Sequence, residues 1–253
     1  MGLKEKLKAG EATLGSWITL GHPAIAEIMA KSGFDWLCVD LEHSVITIRE
    51  AEELIRIIDL SGVTPLVRLS SNDAVQIKRV MDAGAKGIIV PMVNSVEDVE
   101  RAYRAMHYPT MGMRGVGLAR AQAYGADFEG YKERLQNESI LIPQIEHIDA
   151  VNNIDSILDH DGVDGFIVGP YDLSGSLGAP GGFNNPKMLE AMEKINSAVA
   201  NCPKPGGIHI IEPDPKEIVR CQEEGYKFLA YSLDIRILDS ICREGVTIAK
   251  KGH

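Results

Sequence analysis

The run Trp36–Val45, WLCVDLEHSV, places three ionisable side chains, Asp40, Glu42 and His43, directly behind an apolar stretch. Similar handovers occur at Arg68 in TPLVRL, at Gln144 and Glu146 in ILIPQIE, and at Asp172 just after GFIVGP. Glu146 and Asp172 would repel each other across one cavity unless protonated or bridged by a cation. A divalent ion resolves the conflict. Two carboxylates leave coordination positions open for water and substrate oxygens, which suits Mg²⁺ or Mn²⁺ rather than structural zinc. Asp172 also precedes an apolar run, where an aspartate commonly caps a helix. Arg68 lies in an apolar strand run, so it must pair with a carboxylate such as Glu146 or with an anionic ligand. Gln144, two residues before Glu146, shares its strand face. His43 can pack structurally against Asp40 or Glu42, but a neutral imidazole near a metal and an arginine can also accept a proton at physiological pH. On that reading Asp40 and Glu42 orient His43 or its neighbours. His209 is a lesser candidate of the same kind, and His22 approaches the same mouth.

These side chains need a scaffold that gathers strand ends. Short β-type runs alternate with amphipathic helical stretches throughout: residues 13–20, 36–42, 64–69, 87–91, 140–146, 165–170, 207–210 and 228–234 read as strands. Helical patterns such as TIREAEELIRIIDLS and SVEDVERAYRAM lie between them, with apolar residues at three- and four-residue spacing. Repeated βα units point to a parallel sheet, and eight of them to an α/β fold of the (β/α)8 TIM barrel type over a doubly wound sheet. No Gly-rich dinucleotide fingerprint follows the first strand. Residues 1–253 read as one domain. In such a barrel the active site forms at the carboxyl ends of the strands, where the residues above fall. The long Gly-rich segment HYPTMGMRGVGLARAQAYGADFEG, with Arg114 and Arg120, is expected to be functional on length alone.

The formal charge of −10 argues against nucleic-acid or membrane-surface partners. No signal peptide or apolar span of membrane length is evident, so a cytoplasmic protein is expected. The scattered cysteines Cys38, Cys202, Cys221 and Cys242 suggest neither a disulfide nor a zinc site. Lys86, Lys204 and Lys227 precede their strands and so belong to the barrel's opposite face, which disfavours imine chemistry. Ser/His/Asp hydrolysis is also disfavoured, since no serine occupies a GxSxG turn.

The stretches GFDWLCVDLEHS, PLVRL, VMDAGAKGIIVPMVNSVEDVERA, GMRGVGLARAQAYG, PQIEH and VDGFIVGPYDLSGSLG together carry a resemblance to the HpcH/HpaI aldolases. These are metal-dependent pyruvate aldolases, among them 4-hydroxy-2-oxoheptanedioate and 2-dehydro-3-deoxyglucarate aldolases. The resemblance implies His43 as proton acceptor, Arg68 as transition-state stabiliser, and Asp82 as the group that raises the basicity of the histidine. It implies Glu146 and Asp172 as ligands of a divalent ion (Mg²⁺, Mn²⁺ or Co²⁺), with Gln144, Tyr171 and Asp172 as substrate contacts. It further implies a homo-oligomer, plausibly a hexamer, with an exchanged C-terminal helix. Asp82 ends a helix that should run away from His43, so a neighbouring subunit offers one route for that contact; otherwise it reads as a solvated helix-end aspartate.

The implied reaction is reversible retro-aldol cleavage of a 4-hydroxy-2-oxo acid to pyruvate and an aldehyde. Two alternatives are a transferase or decarboxylase that uses an oxaloacetate-derived enolate and a non-catalytic metabolite-binding barrel. Tyr171, GAPGGFNNPKM and GIHIIEPDP depart from the family pattern near the mouth and bear on substrate identity.

Overall fold

A computed structural model describes residues 1–251. Eight parallel strands close into a barrel in chain order: β1 (Thr13–Ile18), β2 (Trp36–Asp40), β3 (Thr64–Arg68), β4 (Gly87–Val90), β5 (Ile140–Ile145), β6 (Phe166–Val168), β7 (Gly206–Ile210) and β8 (Phe228–Leu233). All eight expected strands are present. Several stop earlier than their apolar runs, because the last residues of each run turn into the loops of the mouth.

Helix α1 (Leu3–Lys8) precedes the barrel. The first connections carry α2 (Pro23–Ala30), α3 (Ile48–Leu60), α4 (Ala74–Asp82) and α5 (Val96–Met106). Then follow α6 (Phe128–Glu138), α7 (Ile148–Asn152), α8 (Ile154–Asp159), α9 (Pro170–Ser176), α10 (Pro186–Asn201), α11 (Pro215–Glu223) and α12 (Asp234–Lys251). Capping boxes at Thr47/Glu50 and Ser95/Asp98 start α3 and α5.

The period-two alternation of the strands divides the apolar residues between two cores. One fills the barrel with Trp17, Trp36, Leu66, Ile142 and Phe228 and takes in Leu3 and Leu7 of α1. The other lies between strands and helices, with Leu37, Val39, Val67 and Ile88 on the strand side and Leu54, Ile58, Ile77 and Val99 on the helix side. Inside the barrel Trp36 stacks on Phe228 with ring centroids 4.3 Å apart. This stack requires Gly15, since a Cβ there would lie 2.0 Å from the Trp36 ring.

The long segment after α5 is tied down away from the mouth. Arg114 Nη2 lies 2.5 Å from Asp82 Oδ1 at the end of α4, and its guanidinium stacks over Tyr108 and Tyr131. Arg120 Nη2 lies 2.5 Å from Asp59 Oδ2 near the end of α3. The helices run antiparallel to the strands, so both arginines sit toward the amino end of their own barrel. Each guanidinium pairs with a carboxylate at a helix end, which holds the long segment against the helices.

Helix α12 leaves the barrel after its first turn. Asp234 anchors it, accepting from Thr19 Oγ1 at 2.5 Å and from the backbone N–H groups of Thr19 and Leu20 at 2.9 and 2.8 Å. Beyond that anchor Leu238, Ile241, Val246 and Ile248 are all exposed. No helix among the described residues is long and apolar enough to cross a membrane.

Candidate active site

The carboxyl ends of the strands open into a cavity of about 380 Å³ that Asp40, His43, Arg68, Gln144, Tyr171 and Asp172 help to line. A larger cleft of about 790 Å³ lies on the barrel flank between α7, α8 and α10 and holds none of these residues.

Arg68 is the last residue of β3 and stands directly opposite Asp40 in the β2–β3 ladder. Its Nε donates to Asp40 Oδ1 at 2.9 Å and its Nη2 to Oδ2 at 2.6 Å. Burial pushes the Asp40 carboxyl up, but the hydrogen bonds and charge of Arg68 outweigh it and hold the group below its ordinary range. The guanidinium also lies 4.3 Å from the Trp17 ring centroid, a cation–π contact that fixes its plane. Pairing of Arg68 with Glu146 is therefore corrected to pairing with Asp40, which faces it in register. The remaining nitrogen, Nη1, faces Glu42 rather than Asp40.

Asp40 Oδ1 also accepts from the backbone N–H groups of Glu42 and His43 at 3.0 and 3.3 Å. Asp40 thus shapes the turn that carries His43. The imidazole itself is exposed at the mouth, with Nε2 3.9 Å from Glu42 Oε2. It is not packed as a core histidine.

Glu146, one residue past β5, is buried. Gln144 Nε2 donates to its Oε2, and the Met92 N–H donates to its Oε1 at 2.7 Å. Burial pushes its carboxyl up to about 7, and the charges of Glu42 and Asp172 add to the effect against those hydrogen bonds. Glu42 behaves alike: burial drives it up to about 7 against Arg68, with Asp40 and Asp172 adding to the rise. Glu42 Oε2 lies 3.3 Å from Arg68 Nη1, within ion-pair range but without hydrogen-bond alignment, and this buried oxygen has no donor among the described residues.

Asp172 is the third residue of α9, whose cap is Gly169, so it does not close the helix end. Its carboxylate is exposed to the cavity and accepts no hydrogen bond among the described residues. Gly169 lets α9 approach Glu146: a Cβ there would lie 2.9 Å from Glu146 Cβ and 3.0 Å from Oε2.

Burial raises Glu42 and Glu146, the charge of Asp172 adds to both rises, and the Asp172 carboxylate accepts no hydrogen bond among the described residues, an arrangement that fits a hard divalent cation. Glu146 and Asp172 would hold it. Two carboxylates alone would leave coordination positions for water and substrate.

Tyr171 is exposed beside Asp172, with its ring edge-on to Phe183 at 4.9 Å. Asp82 is not brought to this mouth; it pairs with Arg114 at the opposite end of its own barrel. His22 caps α2, His147 caps α7, and His160 pairs with Glu100. Sequence reading missed Trp17, the Met92 N–H and Gly169. Trp17 sits in an ordinary apolar run, and a backbone donor leaves no side-chain signal.

Residues 13–239 match the family model described as HpcH/HpaI aldolase/citrate lyase. The chain is 37% identical over 236 residues to the hydroxypyruvate/pyruvate aldolase of Sagittula stellata, covering 93% of this chain and 92% of that protein. It is 32% identical over 251 residues to the 2-keto-3-deoxy-L-rhamnonate aldolase of Escherichia coli, covering 98% and 93% of the two chains. The crystal structure of an HpcH/HpaI aldolase from Desulfitobacterium hafniense superposes with a TM-score of 0.88 at 34% identity, covering 99% of this chain and 97% of the other.

Proposed function

The chain belongs to the HpcH/HpaI aldolase/citrate lyase family and is a carbon–carbon lyase, and from that premise we propose that it cleaves a 4-hydroxy-2-oxo acid reversibly to pyruvate and an aldehyde in a divalent-metal-dependent reaction. The observation that carries this reading is the site's charge arrangement. Arg68 is committed to Asp40, while burial, with the charge of Asp172 adding to it, raises Glu42 and Glu146 to about 7, as suits carboxyls that would share a bound cation.

A Mg²⁺, Mn²⁺ or Co²⁺ ion held by Glu146 and Asp172 would supply Lewis-acid polarisation of the 2-oxo group. Arg68 binds the 2-oxo acid through the guanidinium edge not taken by Asp40 and stabilises the negative charge that develops as the bond breaks, a role commonly worth about 3 kcal/mol. Gln144 keeps Glu146 oriented and contacts substrate with Tyr171 and Asp172. His43 accepts the 4-hydroxyl proton. The C3–C4 bond then breaks, its electron pair passes to the enolate of pyruvate, and the former C4 leaves as the aldehyde carbonyl. Protonation of the enolate at C3 yields pyruvate. The reverse sequence joins pyruvate to an aldehyde.

The assembly is part of this proposal. The exposed apolar residues of α12 support a homo-oligomer in which this helix is exchanged, with a hexamer as the plausible size. In such an assembly Asp82 would serve the His43 of a neighbouring copy. A cytoplasmic location accords with four unpaired cysteines.

The test is cleavage of 4-hydroxy-2-oxo acids with pyruvate measured as product. Activity should disappear on chelation and return with Mg²⁺, Mn²⁺ or Co²⁺. Undiminished cleavage by the exhaustively chelated protein, with an imine trapped by borohydride, overturns the reading.

A further inference from the structure

The cavity has two unlike walls. One carries Asp40, Arg68, Gln144 and Asp172, while the other, from β1, β7 and β8, carries Trp17, Thr19, His209, Ile211 and Leu233. The 2-oxo acid is held at the first wall, so the aldehyde portion extends toward the second.

The polar atoms of the second wall are mostly committed. Thr19 Oγ1 donates to Asp234 Oδ1 at 2.5 Å. Trp17 Nε1 is buried without a partner and is closed to a ligand. His209 differs. Its Nε2 lies 3.3 Å from the Ser232 carbonyl oxygen. A carbonyl can only accept, so this nitrogen carries the proton and the neutral ring presents an unprotonated Nδ1. Nδ1 makes no hydrogen bond among the described residues and is not enclosed. The ring packs on Trp17 with centroids 5.4 Å apart, and Trp17 in turn supports Arg68, which fixes the acceptor relative to the 2-oxo acid subsite.

We propose that His209 selects the aldehyde partner: its Nδ1 accepts a hydrogen bond from a hydroxyl on the aldehyde, so the site prefers hydroxyaldehydes to their deoxy counterparts. The proposal rests on the retro-aldol reading of the same site. Burial, reinforced by the charge of Arg68, pushes the imidazole down to about 4, so it stays neutral near pH 7 and is too weak a base to replace His43. A fixed acceptor selects a donor. On a small aldehyde that donor is a hydroxyl, because the carbonyl is itself an acceptor and an ammonium would be repelled by Arg68. Once substrate fills the cavity this acceptor is cut off from water, so a deoxy aldehyde leaves it unpaired and is penalised.

The test condenses pyruvate with glycolaldehyde against acetaldehyde, and with lactaldehyde against propanal, with rates corrected for hydration. The ratio of kcat/KM within each pair is the readout, so a loss of active protein cancels. The wild type should favour the hydroxylated member. His209→Leu should lower the ratio about tenfold or more, chiefly by raising KM for the hydroxyaldehyde. His209→Phe keeps an aromatic ring to pack on Trp17 but offers no acceptor, and should lower the ratio comparably; it also serves if the leucine variant does not fold. Wild-type ratios near one, or ratios unchanged in the variants, overturn the proposal. Failure of the wild type to condense pyruvate with any of these aldehydes overturns the retro-aldol reading itself, and this inference with it.

Discussion

Asp40 and Arg68 face each other across the β2–β3 ladder and close two hydrogen bonds, Nε to Oδ1 at 2.9 Å and Nη2 to Oδ2 at 2.6 Å. A buried arginine is tolerated here because its partner is its register neighbour. Asp40→Asn should destabilise the fold by about 3 kcal/mol, since it leaves the guanidinium without its buried counter-charge. It should also lower kcat about 100-fold by releasing Arg68 from its plane. Denaturant midpoints and steady-state kinetics check both. Normal stability and turnover would show that Trp17 alone positions Arg68.

The paired rise of Glu42 and Glu146 to about 7 has a signed consequence for stability. Between about pH 4.5 and pH 7 the folded protein retains protons on these carboxyls that the unfolded chain releases, so their contribution to stability falls as pH rises and levels off above that window. Glu42→Gln should therefore gain stability relative to wild type by about 1–3 kcal/mol more at pH 8 than at pH 5, in the presence of chelator. Denaturant titrations at the two pH values give the difference directly. An equal effect at both would mean that the Glu42 carboxyl is not raised.

The placement of Asp82 can be read by complementation. His43→Ala should depress cleavage while leaving metal affinity largely intact, because His43 takes a proton and does not hold the ion. If Asp82 serves the His43 of a neighbouring copy, co-refolding His43→Ala with Asp82→Asn chains should restore part of the activity, since mixed assemblies contain sites complete in both residues. No recovery from mixed assemblies would place Asp82 outside the site.

Much of this was legible in the sequence because each signal lay in a single local run. The apolar runs marked all eight strands, and the polar residues that interrupt their ends, Arg68, Gln144, Glu146 and Asp172, lie together at the mouth. What stayed hidden depends on which runs become neighbours. No local feature tells that Asp40 lies opposite Arg68, or that Gly169 must be bare so that α9 can reach Glu146. Arg114 and Arg120 looked functional because loop length and charge were visible, while their partners Asp82 and Asp59 stand many residues away on helix ends.

The central claim is that this site forms the enolate of pyruvate with help from a divalent ion. The most direct measurement is the methyl signal of pyruvate in deuterated water, followed by NMR with the protein after exhaustive chelation and after addition of Mg²⁺, Mn²⁺ or Co²⁺. Exchange of the methyl protons should depend on the added ion and should collapse in Arg68→Ala. Exchange that persists in the fully chelated protein, together with borohydride-trapped imine, would contradict the account.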